Sequence, residues 1–162
     1  MDDIKFIENN VENILMMKII KSIYKIETSY RPIWFRSIEY SYFIYSAVVS
    51  LVFNRRVANI TIGKFQIGIL NYLRYSGRHF ENTHLASLPN ISLSDLKSII
   101  ILLKIENQIK VVEWLINDFT KNKAFKSYET KIRYIGLSYN GSYQYARKLE
   151  SLCVQDSHHN IA

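Results

Sequence analysis

Residues 27–66 read ETSYRPIWFRSIEYSYFIYSAVVSLVFNRRVANITIGKFQ, and this run decides the fold class. Proline disfavours helix at the residue before it and suits the first turn of the next helix, so Arg31-Pro32 separates two helices. A helix is predicted over residues 32–53. Phe35, Ile38, Tyr42, Tyr45, Val49 and Val52 make one face, and Ala47, Val48 and Leu51 widen it, as in a central helix. Asn54-Arg55-Arg56 ends it. Residues 57–60 are short and β-branched and read as extended. Thr61-Ile62-Gly63 reads as a turn and helix start, with Phe65, Ile67, Ile69, Leu70 and Leu73 following as far as Ser76-Gly77.

Upstream, Ile4, Ile7, Val11, Ile14, Leu15 and Ile19 recur at steps of three and four, so residues 3–26 read as one helix. Only Lys18 interrupts its stripe. Asp2 or Asp3 can cap its start. Ile23 and Ile26 continue the face, which puts Glu27 at the helix end. Downstream, residues 78–90 are the most polar stretch and read as a long loop. Ser92 or Ser94 can cap a helix over residues 93–104. A further helix spans about 106–122 on Ile109, Val112, Leu115, Ile116 and Phe119. Another covers 127–138 on Tyr128, Ile132, Ile135 and Leu137. Asn140-Gly141 signals a turn, and the last helix, 142–153, uses Tyr145, Ala146, Leu149 and Leu152. The expected fold is mainly α: a single helical domain over residues 1–154 with at most a short β-hairpin, and a fraying tail at 155–162.

The chain has 162 residues, of which 48% are hydrophobic, with 5 Gly and 2 Pro; that suits a packed core rather than a disordered or fibrous chain. A formal net charge of +7 favours an anionic partner, whether nucleic acid, an acidic membrane face or an acidic polymer. Cys153 is the single cysteine, which rules out an internal disulfide. Met1-Asp2-Asp3 is acidic where a secretory signal is basic. The apolar runs 44–53 and 99–103 are too short to cross a bilayer. The expectation is a chain without signal peptide or transmembrane segment, carried outward by another system.

Glu27 draws attention because a carboxylate at a helix C-terminus opposes the helix dipole. In an apolar cleft near Tyr30 and Trp34 it has the makings of a general acid; on the surface it is an ordinary glutamate. Glu39 is either a second carboxylate or the ion-pair partner of Arg36. The turn at Thr61, Gly63 and Gln66 can offer backbone N–H groups and an amide to a sugar, or be a plain connection. Tyr139 and Asn140 stand in the same position. His79, His84, His158 and His159 have no metal-ligand spacing, so neither metal nor cofactor is expected. Arg55-Arg56 and the run 121–126 are the best patches for nucleic acid.

Taken in order, Ile26-Glu27, Thr61-Ile62-Gly63-Lys64-Phe65-Gln66 and Tyr139-Asn140-Gly141-Ser142 resemble the lysozyme-like superfamily, especially bacterial lytic transglycosylases and the glycosyltransferase module of penicillin-binding proteins. The resemblance covers residues 10–150. It implies that Glu27 is the catalytic acid, that Gly63 and Gln66 form the Gly-x-x-Gln turn beside the sugar, and that Tyr139, next to Asn140, steadies the acid. The sequence departs from the pattern at Glu27-Thr28, where Glu-Ser is usual, at Lys64-Phe65, where Leu-Met is usual, and at Gly141-Ser142, where Ala-Gly is commoner. The implied function is cleavage of peptidoglycan glycan strands between N-acetylmuramic acid and N-acetylglucosamine, at the cell wall or periplasm, after delivery by another system and with an immunity partner conceivable. The alternatives are a basic helical module binding nucleic acid or protein, and an inactive lysozyme-like domain that only holds glycan. The first reading expects no nucleic-acid partner.

Overall fold

Asp2 accepts a hydrogen bond from the Ile4 amide and starts α1 (Asp3–Asn10). The single N-terminal helix expected from the sequence is two: the chain turns extended at Val11, and Asn13 accepts from the Met16 amide to start α2 (Ile14–Tyr30). Local hydrogen bonding by Asn13 explains the break, which the apolar period alone does not register. The remaining elements are α3 (Ile33–Phe53), β1 (Val57–Ala58), β2 (Thr61–Ile62), β3 (Ile67–Gly68), α4 (Ile69–Tyr75), β4 (Ser87–Leu88), α5 (Leu93–Ile101), α6 (Ile105–Thr120), α7 (Tyr128–Asn140) and α8 (Tyr143–His158). This computed structural model describes residues 2–30, 33–79, 87–88 and 91–158. The protein is mainly α, as expected, with two antiparallel pairs of two-residue strands among the described residues.

The chain divides into two compact units. The first combines residues 1–27 with 112–162; the second is 28–111. The dividing points fall inside α2 and α6, so no linker marks them in the sequence.

In the first unit Ile7, Ile19, Ile20, Ile23 and Ile26 are buried, as are Val112, Leu115 and Ile116 of α6, Ile132 and Ile135 of α7, and Ala146 and Leu149 of α8. Cys153 is buried there, its thiol 3.4 Å from the Ser22 hydroxyl, as a packed structural side chain. Ser127 caps α7 through the Thr130 amide, and Gly141, in the left-handed region at φ 77°, closes it. Tyr139 and Asn140 are therefore the last residues of α7, which runs past the end expected at 138. The α8 helix continues to His158, past the point at which the tail was expected to begin.

In the second unit three expectations change. The helix foreseen from Gly63 onward is instead a hairpin, with Thr61 opposite Gly68 and Ile62 opposite Ile67, followed by α4. Gly63 at φ 82° and Gln66 at φ 52° hold left-handed backbone that no α-helix contains. The foreseen loop over 78–90 lies mostly outside the described residues, but its Ser87–Leu88 pairs with β1, Val57 opposite Leu88. Finally, α3 buries the opposite side from the one expected. Phe43, Ala47 and Ser50 face inward, whereas Ile38, Tyr42, Tyr45 and Val52 are more than half exposed. Both sides are apolar, so periodicity cannot choose between them. Small side chains choose: Ala47 and Ser50 admit a close neighbour, and the Ser46 hydroxyl accepts from the Ala58 amide on β1.

Candidate functional site

The expected site residues fall into two groups. Glu27, Tyr139 and Asn140 belong to the first unit; Glu39, Thr61, Gly63 and Gln66 belong to the second.

Glu27 lies in the last turn of α2, not at its final residue, and is only 6% exposed. A carboxyl so placed carries a desolvation cost and sits at the negative end of the helix dipole. Two phenols lie within its electrostatic reach. Burial drives the Tyr139 hydroxyl well above the ordinary tyrosine pKa, and the Glu27 charge adds to the rise. Burial also raises Tyr145, with Glu27 and then Tyr139 adding to it. The Tyr145 hydroxyl is buried without a formed hydrogen bond and feels the charge of the Glu27 carboxyl. Both phenols therefore keep their protons at neutral pH and can act as donors to a carboxylate.

The helices fix this group. Tyr139 on α7 and Tyr145 on α8 stack at 6.2 Å with their planes 16° apart. Gly136 makes the approach possible, since a Cβ there would come within 2.7 Å of the Ala146 Cα. Asn140 is exposed at the end of α7. The sequence marked Tyr145 only as an apolar position.

The hairpin turn of the second unit is closed by its own side chains. The Thr61 hydroxyl donates to Gln66 Oε1 at 2.7 Å, and Gln66 Nε2 donates to the Gly63 carbonyl at 2.9 Å. The Gly63 amide donates to the Tyr40 hydroxyl, and the Phe65 amide donates to Gln108 Oε1. Gln108, 1% exposed, also donates to the Leu103 carbonyl and occupies the space a Gly63 side chain would need. The backbone donors of Gly63 and Phe65 are thus engaged within the unit, and Gln66 is 7% exposed. Sequence reasoning missed Gln108 and Tyr40, which build this turn from helices far away in the chain. Glu39 is half-buried on α3.

Elsewhere in the second unit, Asp95 completes a capping box with Ser92 and receives Arg78 Nη1 at 2.8 Å. Burial pushes its carboxyl up, but the Ser92 hydrogen bonds and the Arg78 charge outweigh that and leave it below the ordinary range. Among the described residues no His, Cys, Asp or Glu cluster is arranged to hold a metal ion, and no helix is long and apolar enough to cross a membrane.

Comparison with protein-family models, with curated proteins and with solved structures gives no match.

Proposed function

We propose that the protein is a peptidoglycan-cleaving glycosidase of lysozyme-like type, with Glu27 as its general acid and base. One observation carries the reading: a carboxyl 6% exposed, in an early helix, with two protonated phenols in its electrostatic reach. Burial costs a charged carboxylate its hydration, and the proposed role requires Glu27 to hold a proton until the glycosidic bond breaks.

In the proposed reaction the Glu27 carboxyl gives its proton to the glycosidic oxygen as the bond to the muramic C1 breaks. The resulting carboxylate then takes a proton from the acceptor as that acceptor's oxygen bonds to C1. Water as acceptor leaves a reducing end. The muramic sugar's own hydroxyl leaves an anhydro end and needs no second carboxylate, so Glu39 is not required. Tyr139 and Tyr145 are positioning residues, steadying the carboxylate after it has lost its proton.

The test is digestion of purified sacculi by the full chain, followed by mass spectrometry of the released glycans. Anhydro-muramic ends identify a transglycosylase and reducing ends a hydrolase. Both must disappear in Glu27→Gln. Intact glycan with the unsubstituted chain overturns the reading and leaves the basic binding module or the glycan-holding domain.

A further inference from the structure

The two units differ in charge as well as in packing. Residues 28–111 contain 10 Lys and Arg against 4 Asp and Glu, a formal net +6, whereas the remainder has 11 against 10, a net +1. The exposed apolar side chains follow the same division. Ile14 and Tyr143 are the large ones exposed in the first unit among the described residues; the second unit exposes Trp34, Ile38, Tyr45, Ile44, Val48, Leu103 and others.

Four of these side chains, Ile44, Val48, Ile100 and Leu103, line one groove. This apolar groove of about 260 Å³ runs between α3 and α5, lined by Ile44, Val48, Leu96, Ile99, Ile100 and Leu103 among others. It is larger than the roughly 150 Å³ of an apolar cavity that stays dry and takes up benzene. Outside the groove, Trp34 and Tyr45 are exposed beside Val48 along α3 at helical spacing, aromatic residues with a polar edge of the kind that settle at a membrane interface. Lys97 and Lys104 are exposed in and just after α5, and Arg55-Arg56 are exposed just after α3.

We propose that the α3–α5 face of the second unit docks on an anionic lipid bilayer surface. The groove receives acyl chain, Trp34 and Tyr45 lie at headgroup depth, and the basic residues meet lipid phosphates. Charge complementarity selects this occupant. A second copy would bring +6 against +6, and a nucleic acid offers nothing for the apolar groove to cover. The binding strength of such a face combines apolar burial with attraction to anionic headgroups.

The experiment is cosedimentation of the full chain with vesicles of phosphatidylglycerol mixed into phosphatidylcholine, read alongside tryptophan fluorescence. Expected are binding, a blue shift that Trp34→Phe abolishes, and affinity lower by about tenfold or more on pure phosphatidylcholine or in high salt. Ile44→Ser with Val48→Ser, and separately Lys97→Glu with Lys104→Glu, should each lower binding by about tenfold. All four positions are exposed or half-exposed at the surface, and unchanged thermal unfolding establishes that the variants fold. Three results overturn the proposal: no binding to the anionic vesicles, binding indifferent to headgroup charge and to the lysine changes, or a lipid-free dimer that shields Trp34. Sacculus digestion uses no lipid, so failure there and failure here are separate outcomes.

Discussion

The first unit hides its chemistry and the second displays it. In residues 1–27 with 112–162, the polar groups of interest are inside: Glu27, Tyr145, Ser22 and Cys153 are all buried. In residues 28–111, the apolar side chains of α3 and α5 lie outside among basic residues. A buried carboxyl with phenols around it suits proton transfer, whereas an exposed apolar and basic face suits adhesion to an anionic surface. The difference teaches that one chain of ordinary composition can keep buried polar groups in one unit and exposed apolar and basic groups in the other without a linker to announce it.

The comparison can be broken first at its tightest point. Gly136→Val in the first unit sets a branched side chain where even a Cβ lies 2.7 Å from Ala146 Cα, forcing α7 from α8. We expect a loss of about 3 kcal/mol in urea unfolding, at the upper end for overpacking, together with loss of the Tyr139–Tyr145 stack. In the second unit Gly63→Ala meets the Gln108 amide and a left-handed backbone at φ 82°. Since Gln108 can give way only by releasing its bonds to Phe65 and Leu103, the expected cost is about 2 kcal/mol. Ser127→Ala and Ser92→Ala remove one helix cap in each unit and should cost about 1 kcal/mol apiece.

The pH dependence should differ between the units. Tyr139 and Tyr145 have folded pKa values raised above the unfolded one, so their stabilisation is complete below the ordinary tyrosine range and is lost as pH rises above it. Tyr128, also in the first unit, is pushed up to about 12, by burial first and then by the charges of Cys153 and Glu129. Absorbance titration of phenolate should therefore find Tyr128 ionising late, and Tyr139 and Tyr145 only with unfolding; phenols that all ionise in the ordinary range would contradict the buried group. In the second unit Asp95 is lowered, so its contribution is present at neutral pH and fades as pH falls from the ordinary carboxylate range through its own value. Asp95→Asn should flatten the acid limb of a stability–pH curve and leave the alkaline limb unchanged.

Much of the helical framework was legible in the sequence. Ile19, Ile23 and Ile26, and Ile109, Val112, Leu115 and Ile116, carry a helical period and are buried as that period requires. Ser92 and Gly141 mark helix ends through local chemistry. Two kinds of information were not local. The inward side of α3 depends on which neighbour needs Ala47 and Ser50, because its two sides are equally apolar. The turn after Thr61 depends on Tyr40 and Gln108, which come from distant helices. Phe65, Ile67 and Ile69 stand two apart, a strand period that a helical reading of the run passes over. Of the candidate site, the burial of Glu27 could be anticipated from Ile23 and Ile26 before it. The part played by Tyr145 could not, since an apolar position in a helix stripe carries no sign of which way its hydroxyl points.

The most direct measurement is the rate at which the purified chain and its Glu27→Gln variant release soluble fragments from sacculi. The account predicts turnover by the unsubstituted chain and a loss of at least about a thousandfold in Glu27→Gln, while the variant's circular dichroism stays the same. Equal clearing by the two proteins would remove Glu27 from the chemistry and contradict the account.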